Sequence, residues 1–303
     1  MTRSRVFLLV AAAVAASLAL AWNANRSPSA TGSPVELELL QYIADSTAFH
    51  VNSVVIAGPT EAVLIDAQYL VEDARRVADQ IEATGKRLKA VFITHPDHDH
   101  FAGAAAIVER FPGTPVYMTA AAIEHFDEKG RADFQGDKSR RGEQLADSVV
   151  TPELLRSTTL TVDGEAVEII ADLQGDVMEP VNSVVWIPSL RTLIASDLVF
   201  NGVHAWLGVS NEETREAWRD DLRDLAERGP ATVIAGHKPT LDTPDGPEVL
   251  QTMIEYLTDF DAHLTASSDG PELAEKMRQA YPWKVAGLLN YSAGVAFSDR
   301  TEP

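Results

Sequence analysis

The sequence predicts an α/β fold of two pseudo-symmetric halves, on three observations. A hairpin–Asp–helix–strand–His pattern occurs twice. The hairpin strands are β-branched runs bounded by turn residues. The segments between them carry apolar residues at helical spacing. In the first copy, Val51-Asn52-Ser53-Val54-Val55 is followed by the turn Gly58-Pro59-Thr60 and then Ala62-Val63-Leu64-Ile65-Asp66. In the second, Val181-Asn182-Ser183-Val184-Val185 is followed by Pro188-Ser189 and then Thr192-Leu193-Ile194-Ala195-Ser196-Asp197.

The segments after the two hairpins match as well. A helix is predicted over about 71–83, with Val71, Ala74, Val77, Ala78 and Ile81 on its inner side, and then a strand, Leu88 to Thr94, that ends at His95. After Asp197 come a helix over about 213–227, with Leu222 and Leu225 inward, and a strand, Ala231 to Gly236, that runs into His237. Strand ends are where loops converge in packed α/β layers, so a unit duplicated in this way predicts a metal or acid/base site at the seam.

The chain's 303 residues, 45% hydrophobic, suffice for a large core. Residues 1–22 read as a signal peptide or N-terminal anchor: Arg3 and Arg5 precede the apolar run Val6 to Trp22, and Ala19-Leu20-Ala21 offers small residues for cleavage. Residues 23–34 read as a polar linker, and 35–303 as the folded domain. Export to the periplasm or the outside is the expectation, with membrane contact only through an uncleaved anchor. A net charge of −20 repels nucleic-acid phosphates and anionic lipid, so a small-molecule partner is expected and no nucleic acid. With no cysteine there is no disulfide, no lipoprotein attachment and no thiolate ligand.

The densest cluster is His95-Pro96-Asp97-His98-Asp99-His100, between an apolar strand and the small-residue run Phe101 to Val108. Donors at 95, 97 and 99 would share one side of an extended loop, with His100 on the other. That suits two cations a few Å apart; the plainer alternative is a polar loop with an Asp capping the helix.

Here the chain resembles the metallo-β-lactamase superfamily, the group that includes glyoxalase II, lactonases and β-lactamases, whose signature after a strand is His-x-His-x-Asp-His. The resemblance runs from about 40 to 240. It implies a four-layer αβ/βα sandwich and two divalent ions, zinc first and manganese or iron as alternatives. It places His95 and position 97 on one metal, Asp99 and His100 on the other, Asp197 between both, and His237 on the second. It gives Asp66 a hydrogen bond to the ligand loop. Two positions depart from the signature. Asp97 stands where the second His is expected, and Gln174-Gly175-Asp176-Val177-Met178-Glu179 stands where a Gly-His-Thr-like turn is expected. Spacing selects Asp176 as the ligand, with Glu179 as the alternative; His98 would replace Asp97 only by breaking the alternation. Four carboxylates lower the net charge of the filled site from about +1 to about −1, which favours harder ions.

The reaction implied is hydrolysis of an ester, lactone, thioester or amide by metal-bound hydroxide, with Asp99 orienting the nucleophile. Two alternatives are a di-iron redox or oxygen-handling enzyme and a degenerate, non-catalytic envelope protein. His204, shortly after Asp197, reads as a second catalytic residue that contacts substrate or donates to an oxyanion, or else as a packed loop His beside Trp206. A structural role is assigned to His50, and surface positions to His125 and His263. Phe126 to Gly142 is read from its charge and glycine content as a mobile segment over the site, and the stretch from Pro271 as packing outside the second half. No Gly-x-Ser-x-Gly elbow, phosphate loop or dinucleotide fingerprint occurs.

Overall fold

The computed structural model describes residues 35–298. The expected signal segment, the linker and the last five residues lie outside the described residues. The first half comprises β1 (Glu38–Ile43), β2 (Asn52–Ala57), β3 (Glu61–Ile65), α1 (Val71–Thr84), β4 (Arg87–Phe92), α2 (His98–Phe101), α3 (Ala104–Arg110) and β5 (Val116–Met118). It continues through α4 (Ala120–His125), a π-helical turn (Phe126–Gly130), α5 (Arg131–Arg141) and β6 (Glu153–Leu154). The second half comprises β7 (Thr159–Val162), β8 (Glu165–Leu173), β9 (Asn182–Ile187), β10 (Thr192–Phe200), α6 (Glu212–Glu227) and β11 (Thr232–His237). The chain then adds α7 (Glu248–Thr265), α8 (Gly270–Ala280) and α9 (Leu289–Ser298).

Two sheets form, ordered β1-β2-β3-β4-β5-β6 and β11-β10-β9-β8-β7. Their centres repeat one topology. An antiparallel hairpin (β2–β3, β9–β10) is followed by a helix and a strand parallel to the hairpin's second arm (β4 beside β3, β11 beside β10). Side chains alternate across each strand. Val55, Leu64 and Val91 join Val77, Ala78 and Ile81 of α1 in one core, and Leu193, Ala195 and Val233 join Trp218, Leu222 and Leu225 of α6 in another. The intervening Val54, Ile56, Val63, Ile65, Val185, Ile194 and Ile234 are also buried, filling the space between the sheets. Strands covered on both faces must be continuously apolar, which is how these read. The layers are helix, sheet, sheet, helix, as expected.

Three features differ from the sequence reading. Strand β1 has no clear sequence signal; it is an edge whose residues are only partly buried. The ligand loop is not extended through 99: a helical turn starts at His98, so Asp99 and His100 sit on α2 and the alternation fails there. Phe126 to Gly142 is helical, with Phe126 and Phe134 fully buried against the first core. Together with the buried Gly130 they anchor the segment, and several of its charged residues, Lys129, Arg140 and Arg141 among them, line the cavity over the strand ends. The stretch from Pro271 does pack on the second half, through Leu273, Met277, Leu289 and Ala293.

Gly103 lets α2 and α3 approach the loop after β3. A Cβ there would lie 2.2 Å from the Ala67 carbonyl oxygen and 2.7 Å from Ala74 Cβ. Both neighbours are fully buried and cannot swing aside. Gly103→Ala is therefore expected to lower unfolding stability toward the upper end of roughly 1–3 kcal/mol, read from urea denaturation; an unchanged midpoint would contradict this packing.

Candidate metal centre

The ends of β3, β4, β10 and β11 meet where the sheets touch. The carbonyl of His50 accepts from Lys238 N at 3.2 Å, and Asn52 Nδ2 donates to the Ala235 carbonyl at 3.1 Å. Thr94, just before His95, and Ser196, just before Asp197, share a 2.6 Å hydrogen bond across the two halves. Asp66 and Ser196 both take positive φ, 57° and 45°, an unusual backbone for non-glycine residues that redirects the chain just after β3 and at an irregularity within β10.

Seven side chains converge there. His100 Nε2 lies 3.1 Å from Asp197 Oδ1 and 3.4 Å from His237 Nε2. His95 Nε2 lies 3.9 Å from Asp197 Oδ2, 3.9 Å from Asp176 Oδ1 and 4.0 Å from Asp97 Oδ2. Asp99 Oδ2 is 3.5 Å from His237 Nε2 and 3.9 Å from His100 Nε2. The donors fall into three overlapping groups: His95, Asp97 and Asp176; Asp99, His100 and His237; and His95, His100 and Asp197. The structure thus brings together all seven residues singled out as ligands, with Asp197 between the other two groups.

Each histidine is oriented from behind. Nδ1 of His100 meets Asp66 Oδ2 at 2.9 Å, Nδ1 of His237 donates to the Phe49 carbonyl at 2.8 Å, and Nδ1 of His95 is 3.0 Å from Thr94 Oγ1. All three therefore direct Nε2 at the centre. Asp66 also accepts from Thr94 N and Thr94 Oγ1, so one carboxylate positions both ligand histidines of the first half. Gly236 leaves room for Asp197: a Cβ there would lie 2.2 Å from Asp197 Oδ1.

The electrostatics call for a cation. Burial raises the carboxyl of Asp176 well above its usual range, and the charges of Asp197 and Asp97 raise it further. Desolvation likewise raises Asp97, reinforced by Asp99 and Asp197 and opposed by His95. Burial disfavours charge on His100 too, but Asp197, Asp66 and Asp99 outweigh it and hold its pKa well above the usual value. Asp197 is kept well below the usual range: burial pushes it up, and His100 and His237 more than reverse that. His95 is lowered by burial and by His100. His95 Nε2, Asp176 Oδ1 and Asp197 Oδ1 are buried without hydrogen-bond partners. Such orphaned atoms are costly unless a ligand satisfies them. Nitrogen and oxygen donors at this density fit divalent cations.

The remaining candidates separate. Glu179 pairs with Lys129 at 3.1 Å and His125 at 3.4 Å, away from the donor groups that contain Asp176. His98 turns to Asp137, 2.9 Å from its Oδ2. His125 is not a plain surface residue: with Glu179 it lines the cavity over the centre. His263 is half-buried on α7, outside that cavity. His204 is 1% exposed and belongs to the cavity wall. Its Nδ1 is 3.0 Å from the Tyr256 hydroxyl, and its Nε2 has no partner. Burial and the nearby Lys284 ammonium push its pKa down to about 4. The sequence reading placed Arg141 only within a segment over the site, and it missed Tyr69, Leu288 and Tyr291, which add to this wall from the loop after β3 and the C-terminal segment. Local spacing carries no signal for them, because distant parts of the chain bring them here.

A family model described as the metallo-beta-lactamase superfamily matches residues 46–237. A hydroxyacylglutathione hydrolase of Synechococcus sp. (strain JA-3-3Ab) is 24% identical over 230 residues, 76% of this chain and 75% of that protein. A metallo-beta-lactamase family protein from Thermus thermophilus superposes with a TM-score of 0.59 at 17% identity, covering 87% of this chain and 93% of its own. A metallo-beta-lactamase from Pontibacter korlensis gives 0.54 at 18%, covering 76% and 98%. At these identities the solved structures speak to the fold alone.

Asp66→Asn removes a charge behind His100 while keeping the side chain's shape. It is expected to weaken divalent-metal affinity by about 10–100-fold, measured by competition with a chromophoric chelator. Unchanged affinity with the fold intact would show that Asp66 does not support the centre.

Proposed function

The chain belongs to the metallo-beta-lactamase superfamily, and from that premise we propose that it is a metal-dependent hydrolase of a small ester, lactone, thioester or amide. The observation that carries this reading is the set of overlapping donor groups whose buried atoms His95 Nε2, Asp176 Oδ1 and Asp197 Oδ1 lack partners. His95, Asp97 and Asp176 would hold one divalent ion, Asp99, His100 and His237 a second, and Asp197 would lie between them. When bound, the ions supply Lewis acidity toward the carbonyl and a nucleophilic water near neutral pH. Zinc is the first choice for three imidazoles, and four carboxylates extend the choice to manganese or iron.

The chain's own residues would support the reaction from the cavity wall. Asp99 lies 3.5 Å from His237 Nε2 and forms part of that wall, which supports a role for its carboxylate in orienting the attacking water and taking its proton. The cavity above the centre, about 820 Å³, is large enough for a drug-sized substrate. His204 supplies a neutral donor. The Tyr256 hydroxyl is fully buried and lies 3.0 Å from His204 Nδ1, so it would donate its proton there and leave the imidazole proton on Nε2. A donor fixed in this way is suited to the substrate's carbonyl or leaving-group oxygen. We also propose export, on the N-terminal apolar run Val6 to Trp22 that follows Arg3 and Arg5; among the described residues no helix is long and apolar enough to cross a membrane.

Purified protein is expected to carry divalent metal and to cleave members of an ester, lactone and thioester panel, with activity lost on chelation and restored by metal. Asp99→Ala should lower kcat/KM by about 10²–10⁴. Metal-free protein with no turnover after reconstitution would reject the hydrolase reading, and stoichiometric iron with aerobic colour would favour the redox alternative. His204→Leu should lower kcat/KM by about 10²-fold. Tyr256→Phe should give a smaller loss, with the imidazole's ¹⁵N shifts moving from a single Nε2–H tautomer to a mixture. A wild-type Nδ1–H tautomer would contradict the assignment.

A further inference from the structure

Resting on the reading that this cavity receives the substrate, we infer that the substrate is an amphipathic anion: a small acid whose negative group meets Arg141 and whose apolar or aromatic arm lies on Trp206 and Tyr291. Two independent properties of the cavity wall carry this.

The first is charge. Three cationic side chains, Lys129, Arg140 and Arg141, line the cavity. Lys129 is neutralised by Glu179 at 3.1 Å, and Arg140 is paired with Asp137. Among the described residues Arg141 has no carboxylate partner. Its guanidinium lies 4.6 Å from the Tyr69 ring centroid and 5.7 Å from that of Phe49, and it donates to the Thr47 carbonyl at 3.2 Å. Stacking on aromatic faces fixes the plane of a guanidinium without consuming its charge, which leaves donors for an incoming anion. In a chain of net charge −20 an unneutralised cation beside the active centre is conspicuous. The overall field repels anions, so an anionic substrate needs a local attraction of this kind.

The second is exposed apolar surface. Seven large apolar side chains are exposed among the described residues, and three of them, Met178, Val209 and Tyr291, line this one cavity. Tyr291, 64% exposed, stacks on Trp206 with ring centroids 5.3 Å apart and planes 15° apart. Met178 is held near α6, its sulfur 3.7 Å from Asn211 Nδ2. Apolar groups gathered at a cavity mouth, rather than scattered, mark a binding surface. Chain packing does not require them there, since burying any of them would be more favourable than leaving it wet. A ligand arm that covers the Trp206–Tyr291 pair supplies that burial, and Arg141 and donor groups of the centre line the same cavity.

The test uses zinc-loaded protein and isothermal titration calorimetry with three probes, each checked by chromatography to be intact after the titration: 4-phenylbutyrate, its uncharged analogue 4-phenylbutanamide, and butyrate. The acid is expected to bind at least about 10-fold more tightly than the amide, as a charge-assisted contact predicts. It should also bind at least about 10-fold more tightly than butyrate, which lacks the arm. Arg141→Met should remove the acid-over-amide preference, and Arg141→Lys should retain part of it. Tyr291→Ala should shrink the preference over butyrate while leaving the acid–amide ratio in place. Equal binding of acid and amide by wild type would overturn the inference. So would an acid preference that survives Arg141→Met, because the anion would then sit on the metals. An arm preference untouched by Tyr291→Ala and Trp206→Ala would overturn it too. Binding in the expected pattern without turnover of any ester counts against the hydrolase reading alone.

Discussion

The structure depends on one junction, where Asp197 from the second half stands between His100 and His237 and within reach of His95. Nothing in either half alone satisfies it. Three imidazoles and four carboxylates are brought out of water at a place where the chain could have buried apolar groups at less cost. The fold tolerates this because both sheets deliver their strand ends to the same seam, and because Asp66, Thr94 and Ser196 bond one another across it. The pKa directions carry the same message. Asp197 is ionised by its histidines while Asp176 and Asp97 resist ionisation, a division that a bound cation would remove.

Much of this is legible in the sequence because the architecture is written as local periodicity. Val51 to Asp66 and Val181 to Asp197 read as hairpins from β-branched runs and turn residues, and α1 and α6 from helical spacing. The polar residue closing each strand marks the seam. Asp176 is readable by its distance from the second hairpin, and it stands 3.9 Å from His95, whereas Glu179 is drawn off by Lys129.

The rest is illegible for physical reasons. The alternation assigned to 95–100 assumes extended backbone, but the chain turns helical at His98, and a four-residue helix is too short to leave a periodic signature. The segment from Phe126 to Gly142 reads as mobile because charges dominate its composition; Phe126 and Phe134 anchor it, and several of its charged side chains line the cavity. The cavity wall joins Tyr69, Arg141 and Tyr291 from three distant stretches. No spacing rule links them, since only tertiary packing makes them neighbours. His204 can be singled out as a loop histidine near Asp197, but its hydrogen-bond partner Tyr256 lies 52 positions further on.

The most direct test of the junction is X-ray absorption at the metal edge of the reconstituted protein. The account predicts a first shell of nitrogen and oxygen near roughly 2.0–2.1 Å with imidazole multiple scattering, and a second metal at about 3.5–4 Å. Replacing Asp197 with Ala should abolish the metal–metal vector. A spectrum lacking imidazole, or one that Asp197→Ala leaves unchanged, would contradict it.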